Sequence, residues 1–207
     1  MTDNANSRAG TMSDEAGSRD ETMPDGATSS GTDVSTPAES PAIAIVGIGS
    51  EIMGDDGVGP AIIERLEGRA IGSLDSVRVA NAGTTGFLAL EAMSGAEKAI
   101  VIDAVQTGDP PGSVHEYSCV DGRFEAEPPE MTMHDLSFTE ALVYARDVYD
   151  LPDEIRILGI EPANIAPSLE LSDVVESAVP DVIDAIMDNV STATDTNVRR
   201  DHGEPDV

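Results

Sequence analysis

The chain has 207 residues, no tryptophan, three Phe, three Tyr and one cysteine, Cys119, enough for one ordinary domain with an aliphatic core but not for an internal disulfide or a cysteine-rich zinc site. Its formal charge of −29, with Lys98 the only lysine, argues against a nucleic-acid binder working through phosphate contacts, which require Lys and Arg. Such an imbalance costs self-repulsion in dilute buffer, whereas at ~1 M salt the screening length falls to ~3 Å; a high-salt cytoplasm, as in halophilic archaea, is the expectation.

Residues 1–40 are Ser, Thr, Gly, Asp, Glu and Ala with almost no large aliphatics. They cannot bury enough apolar surface to offset the entropy of ordering, and a disordered acidic tail is expected there. The same composition predicts a second disordered tail from Thr192 to Val207, leaving a folded domain over residues 41–191. No apolar run approaches the ~20 residues that cross a bilayer, and the first residues have neither the basic start nor the apolar stretch of a signal peptide. A cytoplasmic protein without a membrane partner is therefore expected.

Between the tails, strand and helix patterns alternate. Ala42 to Val46 is wholly apolar, as in a strand buried on both faces, and runs into glycine. Val58 to Leu66 has apolar residues at helical spacing, with Pro60 tolerable in the first turn. Val77 to Asn81 reads as a second strand, Gly86 to Met93 as a helix, and Ala99 to Asp103 as a third, buried strand. Gly112 to Val120 alternates polar and apolar residues, which places a fourth strand near a sheet edge; Cys119 within it reads as a buried structural thiol. Ser137 to Tyr149 is amphipathic, Ile155 to Ile160 is a fifth strand, and Ser172 to Val190 is helical with an interruption expected at Pro180. The order implies an α/β fold, a mostly parallel sheet between two helix layers. In such sheets functional residues collect beyond the carboxyl ends of the strands, so loops 47–57, 81–86, 103–112 and 159–168 share one rim.

The stretch GIGSEIMGDDGVGP, residues 47–60, is the most unusual on that rim. As a dinucleotide fingerprint it fails at the third glycine, where Ile52 stands, and the second strand does not end in the acid that would bind a ribose. As a calcium loop it lacks alternating oxygen ligands. What remains is a glycine-rich turn carrying Asp55 and Asp56, one expected to cap the helix that begins near Val58 and the other to face the rim. Asp103, after four aliphatics, reaches the same rim, where a buried carboxylate must be paired, hydrogen-bonded or bound to a cation. His134 lies just before the third main helix, whereas His115 reads as a strand-surface residue. Two acids and a neutral imidazole converging there would make an open site for a divalent transition metal such as nickel or zinc.

These segments carry a family likeness. GIGSEIMGDDGVGP after AIAIV, NAGTTG at 81–86, AIVIDAV at 99–105, MTMHDLS at 131–137 and ILGIEP at 157–162 resemble, in order, the hydrogenase maturation endopeptidases, which process the large subunit of nickel–iron hydrogenases. The resemblance implies a three-layer α/β/α sandwich with a five-stranded sheet, one strand antiparallel. It implies removal of a C-terminal extension from the nickel-loaded precursor of the large subunit, with nickel supplied by that substrate protein. It also implies that the metal-contacting and catalytic residues are Asp56, Asp103 and His134. In the family the first motif usually reads Gly-Asn; this chain has Gly49 and Ser50. Three mechanisms fit: recognition of the substrate's nickel, metal-assisted hydrolysis of the peptide bond, and a metal-free variant with Asp56 or Asp103 as general base. Recognition combined with metal-assisted hydrolysis is the favoured expectation. A nickel-binding maturation factor without peptidase activity and a dinucleotide-binding protein are the alternatives.

Overall fold

A computed structural model describes residues 41–69, 71, 74, 76–125, 138–145 and 148–201. Strand β1 (Ile43–Gly47) is followed by a 3₁₀ turn (Gly54–Gly57) and helix α1 (Val58–Glu67). Then come β2 (Val77–Asn81), α2 (Gly86–Met93), β3 (Lys98–Ala104), β4 (Val114–Val120), β5 (Arg123–Phe124), α3 (Phe138–Ala145), β6 (Glu154–Ile160) and α4 (Asp173–Asp201).

The strands form a single sheet in the order β2-β1-β3-β6-β4-β5. Strands β2, β1, β3 and β6 are mutually parallel, and β4 runs antiparallel to both β6 and β5. The fold class is thus the expected one, with six strands rather than five. The extra strand has two residues and pairs with β4 across Asp121 and Gly122, both at positive φ (48° and 74°). That backbone twist matches the twist of paired strands, which is why Asp-Gly closes tight hairpins.

Because side chains alternate along each strand, the sheet divides its core into two layers. Ile43, Ile45, Ile100 and Ile102 meet α1 and α4 through Ile62, Leu66, Val179 and Ile183 on one face. On the other, Ala44, Val46, Ala99 and Val101 meet α2 and α3 through Leu90, Met93, Phe138 and Leu142. Buried Cys119 belongs to this second layer, as its apolar setting predicts.

Two expectations about α4 need correction. Pro180 lies inside the helix and does not interrupt it. Proline lacks the N–H that would bond four residues back, but buried Val175, Val179, Val182, Ile183, Ile186 and Val190 form one apolar stripe across it, and their common packing carries the helix through. The helix also runs to Asp201, into the stretch expected to lack structure; once a helix is nucleated, each added residue gains a backbone hydrogen bond at little further cost. The N-terminal stretch, 1–40, lies outside the described residues.

Candidate active site

The carboxyl ends of β1, β2, β3 and β6 lie along one rim, and backbone hydrogen bonds join the loops beyond them. Ile48 N–H reaches the Ile102 carbonyl at 2.8 Å, Ala82 N–H that of Gly47 at 2.9 Å, and Gly49 N–H that of Gly83 at 2.8 Å. Val105 N–H donates to the Ile160 carbonyl at 2.9 Å, bringing the loop after β3 beside the end of β6.

Two glycines show why the loop after β1 is so rich in them. Gly49 has φ +129°, and a Cβ there would lie 1.8 Å from the Asp56 carbonyl oxygen. A Cβ on Gly59 would lie 2.2 Å from the Ile48 carbonyl oxygen and 2.7 Å from that of Ile102. Only without side chains does the chain fold back on itself there and let α1 press against the ends of β1 and β3.

The acids divide by what surrounds them. Asp55 is 1% exposed. Its Oδ2 accepts from Ala163 N at 2.8 Å, Asn164 N at 2.9 Å and Ser172 Oγ at 2.9 Å, and its Oδ1 from Ser172 N at 2.6 Å. Burial pushes this carboxyl up, but the donors from Ser172, Asn164 and Ala163 outweigh it and hold it below its ordinary value. Neither acid of the pair caps α1, whose N-cap is Gly57 without a side-chain bond. Asp55 instead reaches across to the residue that starts α4.

Asp56, buried at 5% exposure, points elsewhere: its Oδ2 accepts from Ser50 N at 2.8 Å. That donor is a main-chain group, so the contact does not depend on serine or asparagine at position 50. Asp103 is fully buried. By alternation it rises from β3 on the side of Ala99 and Val101, the side that α2 and α3 cover. Its Oδ1 accepts from Ala104 N at 2.8 Å, and its Oδ2 has no hydrogen-bond donor among the described residues. Burial first, and the negative charge of Asp56 second, hold the Asp103 carboxyl well above the ordinary carboxylate range; the Ala104 N–H offsets this in part.

The charge of Asp56, on a separate element, thus adds to the upward push that burial exerts on Asp103. Among the described residues no cluster of three or more His, Cys, Asp or Glu is arranged to hold a metal, and His134, the expected third member, lies outside them. Phe138, the first residue of α3, is fully buried on the face to which Asp103 points.

The carboxylate of Glu161 is a second fully used one. It accepts from Thr107 N and Oγ1, each at 2.7 Å, and from Gly108 N at 3.3 Å. Burial pushes it up, and the Thr107 and Gly108 donors together with His115 nearby bring it below its ordinary value. It fastens the loop after Asp103 to the end of β6. His115 sits beside this cluster, its Nε2 3.3 Å from Thr107 Oγ1 and 3.5 Å from Asp109 Oδ2. A cleft of about 430 Å³ adjoins the acid-bearing turn, lined by Glu51, Gly54, Gly57, Pro60, Leu169 and Leu171 among others. Leu169 on its wall is 82% exposed.

Sequence reasoning singled out the Asp-Asp pair but not the partners of Asp55. Ser172 carried a usable signal, a serine directly before a helical pattern, and its Oγ does lie 3.5 Å from Val175 N. Nothing local pointed to a contact with a residue 117 positions away.

A three-layer α/β/α protein with a buried pair of acids at the carboxyl rim of its parallel strands is the class that fold and site define. The family model described as HycI, hydrogenase maturation protease, matches residues 60–189. The chain belongs to that family. It is 27% identical over 125 residues to the hydrogenase expression/formation protein HupD of Thiocapsa roseopersicina, covering 60% of this chain and 56% of the relative. Against the hydrogenase 2 maturation protease of Escherichia coli (strain K12) identity is 25% over 150 residues, 70% of this chain and 88% of the relative. The crystal structure of a hydrogenase 2 maturation peptidase from a Thaumarchaeota archaeon superposes with a TM-score of 0.56 at 27% identity, covering 72% of this chain and 97% of that one. The chain spans less than two thirds of the length of several curated relatives that it matches.

Proposed function

We propose that this chain is an endopeptidase that removes a C-terminal extension from the precursor of a nickel–iron hydrogenase large subunit, and that the nickel already in that substrate is what it recognises. One observation carries the reading: in a chain of this family, Asp103 is buried under the influence of the Asp56 charge, and one of its oxygens has no donor among the described residues. A buried carboxyl oxygen without a donor is costly, and a cation carried in by the substrate would compensate it.

His134 is the proposed third contact. It stands four positions before Phe138, a span of at most roughly 14 Å of extended chain, and Phe138 starts its helix on the Asp103 face. Two carboxyls and an imidazole form a donor set suited to nickel. Asp56, oriented by the Ser50 N–H, and Asp103 would grip the substrate's metal and present the neighbouring peptide bond to water. When engaged, nickel supplies the Lewis acidity that polarises the scissile carbonyl. The cleft beside the turn, with exposed Leu169 on its wall, is a suitable bed for the extension being removed.

The test is to incubate the chain with nickel-loaded and with nickel-free precursor and follow the mass of the large subunit. A mass drop in the loaded sample alone is expected. Binding without a mass drop would leave a non-catalytic maturation factor, and equal cleavage of both samples would remove nickel from recognition.

A further inference from the structure

The chain sets two acids side by side, and the reading above uses only Asp56. The other is Asp55, whose carboxylate takes four donors, all from the segment between β6 and the start of α4. Main-chain bonds extend the same contact. Asp55 N–H reaches the Asn164 carbonyl at 3.1 Å, Gly54 N–H that of Ser168 at 3.0 Å, and Ser168 N–H that of Ile52 at 3.1 Å, with Met53 and Ser168 bridged in parallel. Residues 52–55 are thus clasped to residues 163–172, and Asp55 is the side chain that closes the clasp.

The next residue is Asp56. Its carbonyl oxygen packs against Gly49, and its carboxylate is held by Ser50 N–H. Consecutive side chains in this tight turn leave in different directions, Asp55 towards Ser172 at the start of α4 and Asp56 towards Ser50. The direction of Asp56 is therefore set by a backbone that is pinned from the far side. We infer that Asp55 is a positioning residue: by anchoring the 3₁₀ turn to the segment that begins α4, it holds Asp56 in register with Asp103. This rests on the reading of Asp56 and Asp103 as the working acids. A carboxylate is required because every partner is a donor. An asparagine of the same shape has one acceptor oxygen and would turn its NH₂ towards N–H groups.

Two measurements on Asp55→Asn test the role, together with a gentler variant, Ser172→Ala, that removes one of the four donors. In amide exchange, the Ser50 N–H, which is bonded to Asp56 and not to Asp55, is expected to lose at least roughly tenfold of its protection in Asp55→Asn, while that of Val101 in the sheet stays unchanged. In cleavage of nickel-loaded precursor at a temperature where the variant is folded, kcat is expected to fall by at least about tenfold with KM within about twofold, because misplacing a reacting group by ~1 Å costs up to ~10²-fold. Ser172→Ala should show the same pattern at smaller amplitude, and carries the test if Asp55→Asn does not fold. Unchanged Ser50 exchange, or a folded variant with wild-type kcat, would overturn the positioning role. Should the wild-type chain leave the precursor uncut, the functional reading fails, and Ser50 exchange alone decides this one.

Discussion

The clasp around Asp55 and the pair formed by Asp56 and Asp103 lie on the same rim, yet their acids are treated in opposite ways. At the clasp every carboxylate oxygen has donors, so charge is favoured despite burial, and Glu161 repeats the arrangement against Thr107. At the pair, Asp103 is given one main-chain donor and a neighbouring negative charge. Burial alone therefore does not separate these acids; the supply of donors does. The saturated acids join loops to one another, whereas Asp103 keeps an oxygen without a donor among the described residues.

The contrast can be broken most severely at the pair. Asp56→Ala, Asp103→Ala and His134→Ala are each expected to reduce precursor cleavage by about 10²-fold or more, with melting temperatures that still report a folded protein. Mass spectrometry of the product reads this out, and normal processing by all three variants would end the site assignment. Asp55→Ala should act first on stability. Losing four hydrogen bonds to a buried charge, and leaving main-chain donors unpaired, is expected to cost about 3 kcal/mol or more in denaturant unfolding.

The pH dependence separates the two acids by sign. Asp55 has a folded pKa below its ordinary 3.8, so its contribution is present above that value and is lost as pH falls through the folded value. Asp103 has a folded pKa raised well above 3.8, so it lowers stability progressively as pH rises from about 3.8 towards the folded value. Asp103→Asn is accordingly expected to melt higher than the wild type at pH 7, with the gap closing as pH is lowered towards 4. A gap that widened on acidification would mean that Asp103 is ionised and paired in the native state.

The smallest effect per residue is expected from surface acids such as Glu64, Glu67, Asp181 and Asp184, which add to the net charge of −29. Moving from dilute to multimolar KCl should raise the melting temperature through screening, by the same increment in wild type and in Asp103→Asn, since the buried carboxyl lies out of reach of the salt. Equal or greater stability in low salt would remove the proposal of a high-salt cytoplasm.

Much of the fold was legible in the residues. Val77–Asn81 and Gly86–Met93 fall where their patterns place them, and β1, β3 and β6 differ from their expected bounds by a residue or two, because a run of aliphatics between turn-forming residues has few other ways to bury itself. Pro180 misled for the converse reason: the local rule was right about the lost hydrogen bond, and the stripe from Val175 to Val190, packed against the sheet, outweighed it. The two-residue β5 was missed because a strand so short has no period to detect.

By itself the sequence determined the alternation of buried strands and amphipathic helices, the common rim on which the Asp-Asp turn and Asp103 fall, and the need for glycine where the backbone doubles back. The resemblance singled out Asp56 of the two adjacent acids, but what each carboxylate bonds to was decided only in three dimensions. The reason is physical: the state of a carboxyl depends on the donors and charges a few ångströms away, and for Asp55 those donors come from residues 108 to 117 positions along the chain.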